Sequence, residues 1–237
     1  MLLVIIPVLV SAQSEIYDKW DELTGKYVKQ SFSENIQFSS VDYAQLGNDE
    51  TFSEIINSLE TFDISKLIST NQILAFWVNI YNIAAIKVVL DSDIPNSIKD
   101  AGNLFKPVWK NDAINIGGKT YSLGEIEHEI LRKMDQPLIH FGIVCASLSC
   151  PELRIEAYQP EKVISQLEDN TRLFLMNETK GMKLDHEKKV AELSAIFKWF
   201  KADFNNGVPQ FVMQYSGVDI SNYKIKYLEY NWNLNKP

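Results

Sequence analysis

The feature that most constrains the fold is a long apolar run, ILAFWVNIYNIAAIKVVL, from Ile73 to Leu90. Its length would suit a membrane span, but Asn79, Asn82 and Lys87 interrupt it, and each of these side chains is costly in hydrocarbon. The run therefore predicts a helix buried at the centre of a globular protein, against which the other elements must pack.

This central helix is expected to be capped by Thr70 or Asn71 and to end near Asp91. Asn79 and Asn82 share one stripe of the helix, and buried amides need hydrogen-bond partners. Two interpretations stay open: the two amides hold the backbone of a nearby loop, or they bind a substrate.

The remaining segments predict a mixture of helices and hairpins. From Ser14 to about Ile68, apolar residues three and four apart indicate helices. One hairpin should turn at Gly117-Gly118, and a second lies in GMKLDHEKKVAEL. Leu138 to Cys145 alternates like a buried strand, and PEKVISQLEDNTRLFLMN is an amphipathic helix. The predicted fold class is α+β, an antiparallel sheet with hairpins packed against helices, behind a mostly helical N-terminal part.

Length and charge bound the domain organisation and the partners. At 237 residues the chain suits one globular unit, in which a helical segment 13–70 packs with a domain 71–237. Residues 1–12 are predicted to be a signal peptide cut after Ala12, which places the protein in the periplasm or outside the cell; a buried N-terminal strand is the alternative. We expect no membrane span in the mature chain. The net charge of −8 and the lack of a basic cluster argue against nucleic acid.

Two acidic residues fall on apolar helical faces. On a wheel of about 100° per residue, Glu127 lies inside the apolar arc of its helix, with His128 on the flank. Asp203 lies between apolar residues near the end of a later helix. Such acids are either members of structural ion pairs, for example with Arg132 or Arg154, or tuned acid/base groups.

The stretch IHFGIVCASLSCPEL contains the two cysteines. In a regular strand His140 and Cys145 would face opposite ways. Cys150 precedes a proline, with Ser149 and Glu152 spaced as a capping box, so we expect it at a helix N-terminus, where thiol pKa values fall. Both cysteines are candidate nucleophiles, and a Cys145–Cys150 disulfide is the alternative. The spacing fits no zinc pattern, so no metal or other cofactor is expected.

Several segments together resemble the family called domain of unknown function 547. They are AFWVNIYN, GGKTYSLGEIEHEILR, HFGIVCASLSCPEL, LSAIFKWFKADF and YNWNLN, and the resemblance runs from about Asn71 to the chain end. It supplies no reaction, but it implies which positions belong to the family's motifs. Those positions are Asn79, Tyr81, Asn82, Glu127, His128, His140, Cys145, Ser147, Cys150, Lys198, Trp199 and Asp203.

The first functional hypothesis is a cysteine-dependent hydrolase or acyl transferase acting on a small or peptide-like substrate. Cys145 would attack a carbonyl, with His128 or His140 as the base and Glu127 or Asp203 orienting it. Substrate contacts would come from Asn79, Asn82, Ser147 and Cys150.

Two other hypotheses stand beside it. A non-catalytic binding or structural domain would use the two cysteines as a disulfide staple. Thiol redox exchange is a third, although the two cysteines lack the two-residue separation of the common redox motif. The sequence does not indicate an oligomeric state.

Overall fold

The computed structural model describes residues 6–103 and 105–237, and for residues 6–12 it describes the backbone alone. The predicted signal peptide therefore lies partly outside the described residues. The helices are α1 (Ile6–Tyr27), α2 (Tyr43–Asn48), α3 (Glu50–Glu60), α4 (Thr70–Asp91), α5 (Val163–Met176), α6 (Ile196–Trp199) and α7 (Val208–Ser216). The strands are β1 (Val28–Ser33), β2 (Ile36–Val41), β3 (Asp112–Ile116), β4 (Lys119–Ser122), β5 (Met182–Asp185), β6 (Val190–Leu193) and β7 (Lys224–Tyr227).

The fold class α+β is confirmed, because small sheets pack with a larger number of helices. One detail of the predicted sheet is wrong. The strands form three separate sheets, and although β5 and β6 are antiparallel, β7 runs parallel to β6. A parallel partner needs a long connection, which here includes α6 and α7. One cluster of buried apolar side chains extends from Ile16 to Leu234.

The helix α4 is the centre of the core, as its sequence predicts. Almost all of its side chains between Leu74 and Val89 are buried. Among the described residues it is the one helix with the length and composition to cross a membrane, and 83% of its most apolar window is buried inside the protein. Its cap differs from the prediction: Ser69 and Gln72, rather than Thr70 or Asn71, form a capping box.

The mostly helical N-terminal part also contains a hairpin that we did not expect. Strands β1 and β2 pair antiparallel, and the turn between them is Glu34-Asn35, with both residues at positive φ (50° and 62°). A two-residue turn of this kind needs left-handed backbone at both positions, and the usual Asn-Gly signal for it is absent. The N-terminal part is therefore mostly helical, as predicted, with a hairpin at residues 28–41 that the sequence did not indicate.

The hairpin at Gly117-Gly118 is confirmed as β3 and β4, with both glycines at positive φ. Ser122 and Glu125 then form the expected capping box. The helix that follows is a π-helix over Glu125–Ile130, continued by a 3₁₀ turn. Such wide turns occur frequently at functional sites.

The predicted strand Leu138 to Cys145 does not form. Pro137–Phe141 is a 3₁₀ helix, and the chain continues to Cys145 without regular structure. Asn82 from α4 supplies the pairing that a neighbouring strand would have given: its Nδ2 donates to Gly142 O (3.0 Å) and its Oδ1 accepts from Val144 N (2.8 Å). An irregular segment can be buried in this way because its backbone groups have partners.

Candidate active site around the cysteine pair

A pocket of about 350 Å³ lies where the Cys145–Pro151 loop meets the C-terminal segment. Its walls are mainly aromatic and its polar groups are ionisable. The aromatic residues are Tyr81, Trp109, Trp199, Phe200, Tyr230 and Trp232, and the ionisable residues are Glu127, His128, His140, Cys145 and Cys150. Pockets with apolar walls and a few converging polar groups are the usual form of small-molecule sites.

The two cysteines are free thiols with their sulfurs 2.9 Å apart. The disulfide considered above is therefore not present. Cys150 is buried, at 2% exposure, whereas Cys145 is partly exposed. Cys150 Sγ also accepts from the backbone N–H of Cys145 (3.1 Å) and lies 3.2 Å from the hydroxyls of Ser147 and Tyr230.

These hydrogen bonds decide which sulfur carries the charge. Burial raises the pKa of Cys150, but the hydrogen bonds from Cys145, Ser147 and Tyr230 outweigh it and bring that pKa to about 6. The hydrogen bond to Cys150, with burial, raises the pKa of Cys145. The two sulfurs therefore titrate as a coupled pair, and the opposite directions of their pKa shifts favour a thiolate on Cys150 with the remaining proton on Cys145.

The thiolate does not depend on a helix. No helix begins directly after Cys150, since residues 151–159 are irregular, so the predicted capping box of Ser149 and Glu152 is wrong. Glu152 instead binds Lys180 Nζ at 2.8 Å and accepts from Ser39. The donors are an amide and a hydroxyl of the cysteine loop and the hydroxyl of Tyr230 from the C-terminal segment, so the low pKa of Cys150 depends on tertiary structure.

Glu127 is buried, as its place on the helical wheel predicts. The hydroxyl of Tyr81 donates to Glu127 Oε2 over a long 3.5 Å. Burial raises the pKa of Glu127 to about 7, against the lowering effect of Arg132. A carboxyl group with this pKa can both give and take a proton near neutral pH.

His140 and Asp203 form a second polar group on the other side of the pocket. Asp203 is half-buried and accepts from Arg132 Nε (2.6 Å) and Nη2 (2.7 Å), so the ion pair expected with Arg132 is present. His140 Nε2 lies 2.8 Å from Asp203 Oδ2, and its ring stacks on Phe200. The hydrogen bonds from Arg132 hold the pKa of Asp203 below its usual value, and burial lowers the pKa of His140 to about 4.

A neutral His140 beside this carboxylate must carry its proton on Nε2. Asp203 therefore orients a histidine, as the sequence suggested, but that histidine is not bonded to sulfur. Among the described residues, no histidine lies within hydrogen-bonding distance of Cys145. His128 is exposed on the pocket rim, where its Nδ1 lies 3.5 Å from Arg132. The described residues thus show no hydrogen bond from Cys145 to a histidine, and its sulfur lies instead beside Cys150, Ser147 and Tyr230.

The amides of α4 have structural roles. Asn79 donates to Tyr158 O and accepts from Tyr158 N, both at 2.9 Å, and Asn82 holds the loop from Gly142 to Val144. Their hydrogen-bonding atoms face backbone and not the pocket. The structure therefore favours the alternative interpretation, in which Asn79 and Asn82 hold nearby backbone and do not bind substrate.

The C-terminal segment completes the site, and the sequence did not indicate this role. Asn233 O accepts from Leu148 N (2.9 Å) and Asn231 O from Ser149 N (3.3 Å), so the segment runs beside the cysteine loop. This pairing places Tyr230 over both sulfurs and Trp232 in the wall. The motif YNWNLN was visible in the sequence, but nothing local in it gives Tyr230 a role.

The backbone also helps to shape this pocket. Gly124 has no room for a side chain, since a Cβ would lie 2.7 Å from the carbonyl oxygen of Trp109. This close approach brings Trp109 against Trp232, with ring centroids 5.6 Å apart. Ala146, directly after Cys145, has φ of 60°, a conformation that costs free energy and occurs often at functional sites.

These features define an α+β protein with a buried dithiol at the base of an aromatic pocket. Residues 65–175 of the chain match the model of the family described as "Protein of unknown function, DUF547", which supports the resemblance to that family. The match contains both cysteines, Glu127 and His140, but it ends before Asp203 and Tyr230. No curated protein and no solved structure matches the chain. Within the described residues, no cluster of three or more His, Cys, Asp or Glu could hold a metal ion.

Proposed function

We propose that this protein is a cysteine-dependent hydrolase or acyl transferase in which Cys145 is the nucleophile and Cys150 is its base. The observation that carries the proposal is the 2.9 Å contact between the two sulfurs inside a pocket. Cys145 is the more exposed sulfur, and Cys150 Sγ, 2.9 Å away, is placed to take its proton. This is the relation of nucleophile to adjacent base that covalent catalysis requires.

In the acylation step, Cys145 Sγ bonds to the substrate carbonyl carbon while its proton moves to Cys150 Sγ. The leaving group departs with the proton of Glu127, which thereby becomes a carboxylate. In the second step a water or another acceptor attacks the thioester and gives its proton to Glu127. The Cys145 thiolate leaves and recovers its proton from Cys150, so that all groups return to their starting states.

The pocket walls support a substrate with a flat or apolar group next to its carbonyl. Trp199 and Trp232 stack at 5.5 Å, and Tyr230 lies 4.6 Å from Trp232, which gives a continuous aromatic surface. Aromatic surfaces bind such groups through large buried area. His140 Nδ1, the ring nitrogen that Asp203 leaves free, is a further acceptor for the attacking water.

A non-catalytic binding protein is the second candidate. It is favoured by the lack of a histidine on Cys145 and by the burial of Cys150, which limit the reactivity of the pair. In that case the aromatic pocket would hold its ligand without covalent chemistry.

The test is acylation by 4-nitrophenyl acetate, followed by intact mass and peptide mapping. We expect one acetyl group on Cys145, none in Cys145→Ser, and about 100-fold slower acetylation in Cys150→Ser, the usual range for loss of a general base. His186→Asn, on an exposed hairpin, is the matched control for handling and should behave like the wild type. Equal acetylation in Cys145→Ser, or a wild-type rate no greater than that of free cysteine, would favour the binding candidate.

We further propose that the protein is exported and that its mature chain starts at Gln13. The support is the apolar start of the sequence and the small residues before Gln13. Gln13 and Ile16 are buried in α1, and cleavage after Ala12 would leave their packing in place. N-terminal sequencing of protein secreted or released from the periplasm tests this; a first residue at Met1 would contradict it.

A further inference from the structure

We infer that Cys145 and Cys150 also form a two-electron redox pair that reduces small organic hydroperoxides and becomes a disulfide. This activity is separate from acyl transfer, although it uses the same two sulfurs. It rests on three observations: the contact between the sulfurs, the donors around Cys150, and the apolar route by which the pair is reached.

The contact removes the main objection to a redox role, which was the sequence spacing. The two cysteines lie five positions apart, yet the loop between them folds so that Cys150 N donates to Ser147 O and Cys145 N donates to Cys150 Sγ. Nothing separates the sulfurs at 2.9 Å. A peroxide-oxidised sulfur would therefore have its resolving thiol already beside it.

The route to the sulfurs selects the oxidant class. Cys150 is only 2% exposed and Tyr230 lies over the pair, so the disulfide of another protein could not approach in line. Both sulfurs nevertheless line the pocket, whose walls are largely aromatic. A small hydroperoxide with an apolar ring matches both the size and the chemistry of this route.

The reaction balances without a metal. The Cys150 thiolate attacks the terminal oxygen of R–O–O–H, the O–O bond breaks, and the alkoxide leaves as an alcohol after taking a proton from Tyr230 or Glu127. The resulting Cys150 sulfenic acid is then attacked by Cys145 as it loses its proton, giving the disulfide and water. Tyr230 or Glu127 then regains its proton from solvent, so that in total one thiol, one thiolate, one proton and one hydroperoxide give one disulfide, one alcohol and one water.

The experiment adds one equivalent of cumene hydroperoxide to the reduced full-length protein. We expect consumption of the peroxide, loss of both thiols, a peptide joining Cys145 to Cys150 within one chain, and recovery with dithiothreitol. In Cys145→Ser the reaction should stop at a Cys150 sulfenic acid that dimedone traps. In Cys150→Ser the peroxide reaction should slow by about tenfold or more, because the remaining thiol lacks the stabilising donors.

Comparison with hydrogen peroxide tests the aromatic route, since the organic peroxide should react faster. Intact thiols after exposure, disulfides only between chains, or sulfinic acid without a disulfide would each overturn the inference. These outcomes are independent of acetylation by 4-nitrophenyl acetate. A protein that is acetylated on Cys145 but resists peroxide would keep the proposed function and lose only the redox activity.

Discussion

The two sides of the pocket hold their charges in different ways. On the histidine side, Asp203 receives two hydrogen bonds from Arg132 and a third from His140, all between 2.6 and 2.8 Å. On the sulfur side, a thiol and a thiolate share one proton, and the donors to Cys150 are neutral groups. The first arrangement is a closed ion pair, and the second contains a proton that can move.

This difference shows why a histidine beside an acid is not enough to identify the catalytic base. The proton of His140 is committed to Asp203, and burial keeps the pKa of the ring near 4. The pKa of Cys150, at about 6, and that of Glu127, at about 7, lie closer to neutrality. Cys150 and Glu127 are therefore better suited than His140 to exchange protons near physiological pH.

Asn82→Ala should have the largest effect, because Asn82 holds the loop that joins His140 to Cys145 and so supports both sides. Two buried backbone groups, Gly142 O and Val144 N, would lose their partners. We expect a loss of about 2–4 kcal/mol in the free energy of unfolding. Urea denaturation measures it, with Asn57→Ala on the exposed face of α3 as control. A change as small as that of the control would show that Asn82 does not support both sides of the pocket.

Glu127→Gln should change how stability depends on pH. The folded pKa of Glu127 is about 7, above its unfolded value of about 4.5, so the wild type loses stability as pH rises from about 4.5 to 7. The glutamine variant lacks this loss and should gain up to about 3 kcal/mol relative to the wild type above pH 7. Melting midpoints from pH 4 to 8 measure it, and Glu129→Gln, exposed on the same helix, should show no such trend.

Asp203→Asn should destabilise the histidine side and leave the sulfur side intact. Loss of the charged partner of Arg132 should cost about 1.5–3 kcal/mol at pH 7. Because the folded pKa of Asp203 is lowered, the wild-type advantage is present above the unfolded pKa and disappears as pH falls through the folded one. Iodoacetamide labelling should stay at the wild-type rate; Asp18→Asn, an exposed change, is the control. Slower labelling would show that the two sides act as one unit.

Tyr230→Phe should give the smallest effect, confined to the sulfur side. Removing one of the donors to Cys150 should raise the pKa of the pair by about one unit, roughly the worth of one hydrogen bond. Iodoacetamide labelling between pH 5 and 9 should show its midpoint moved upward, with the melting midpoint little changed. Tyr227→Phe, on the exposed strand β7, serves as control. An unmoved midpoint would exclude Tyr230 as a thiolate donor.

Much of the framework could be read from local patterns. The apolar run predicted α4, the paired glycines predicted the turn between β3 and β4, and helical periodicity placed Glu127 on the buried face. Each of these depends on residues a few positions apart, which the regular geometry of a helix or hairpin brings together. The hairpin in residues 28–41 was missed because Glu34-Asn35 is an uncommon pair for its turn.

Only the tertiary structure decided the chemistry of the site. The segment before Cys145 alternates like a strand, but the side chain of Asn82 satisfies its backbone, so it stays irregular and turns Cys145 towards Cys150. Tyr230, 85 positions away from Cys145, completes the site through backbone pairing of the C-terminal segment with the cysteine loop. The sequence alone determined that α4 is buried and that Glu127 lies on a buried helical face, because periodicity carries that information. It could not determine which residue meets which, because a hydrogen bond between distant segments depends on how the whole chain packs.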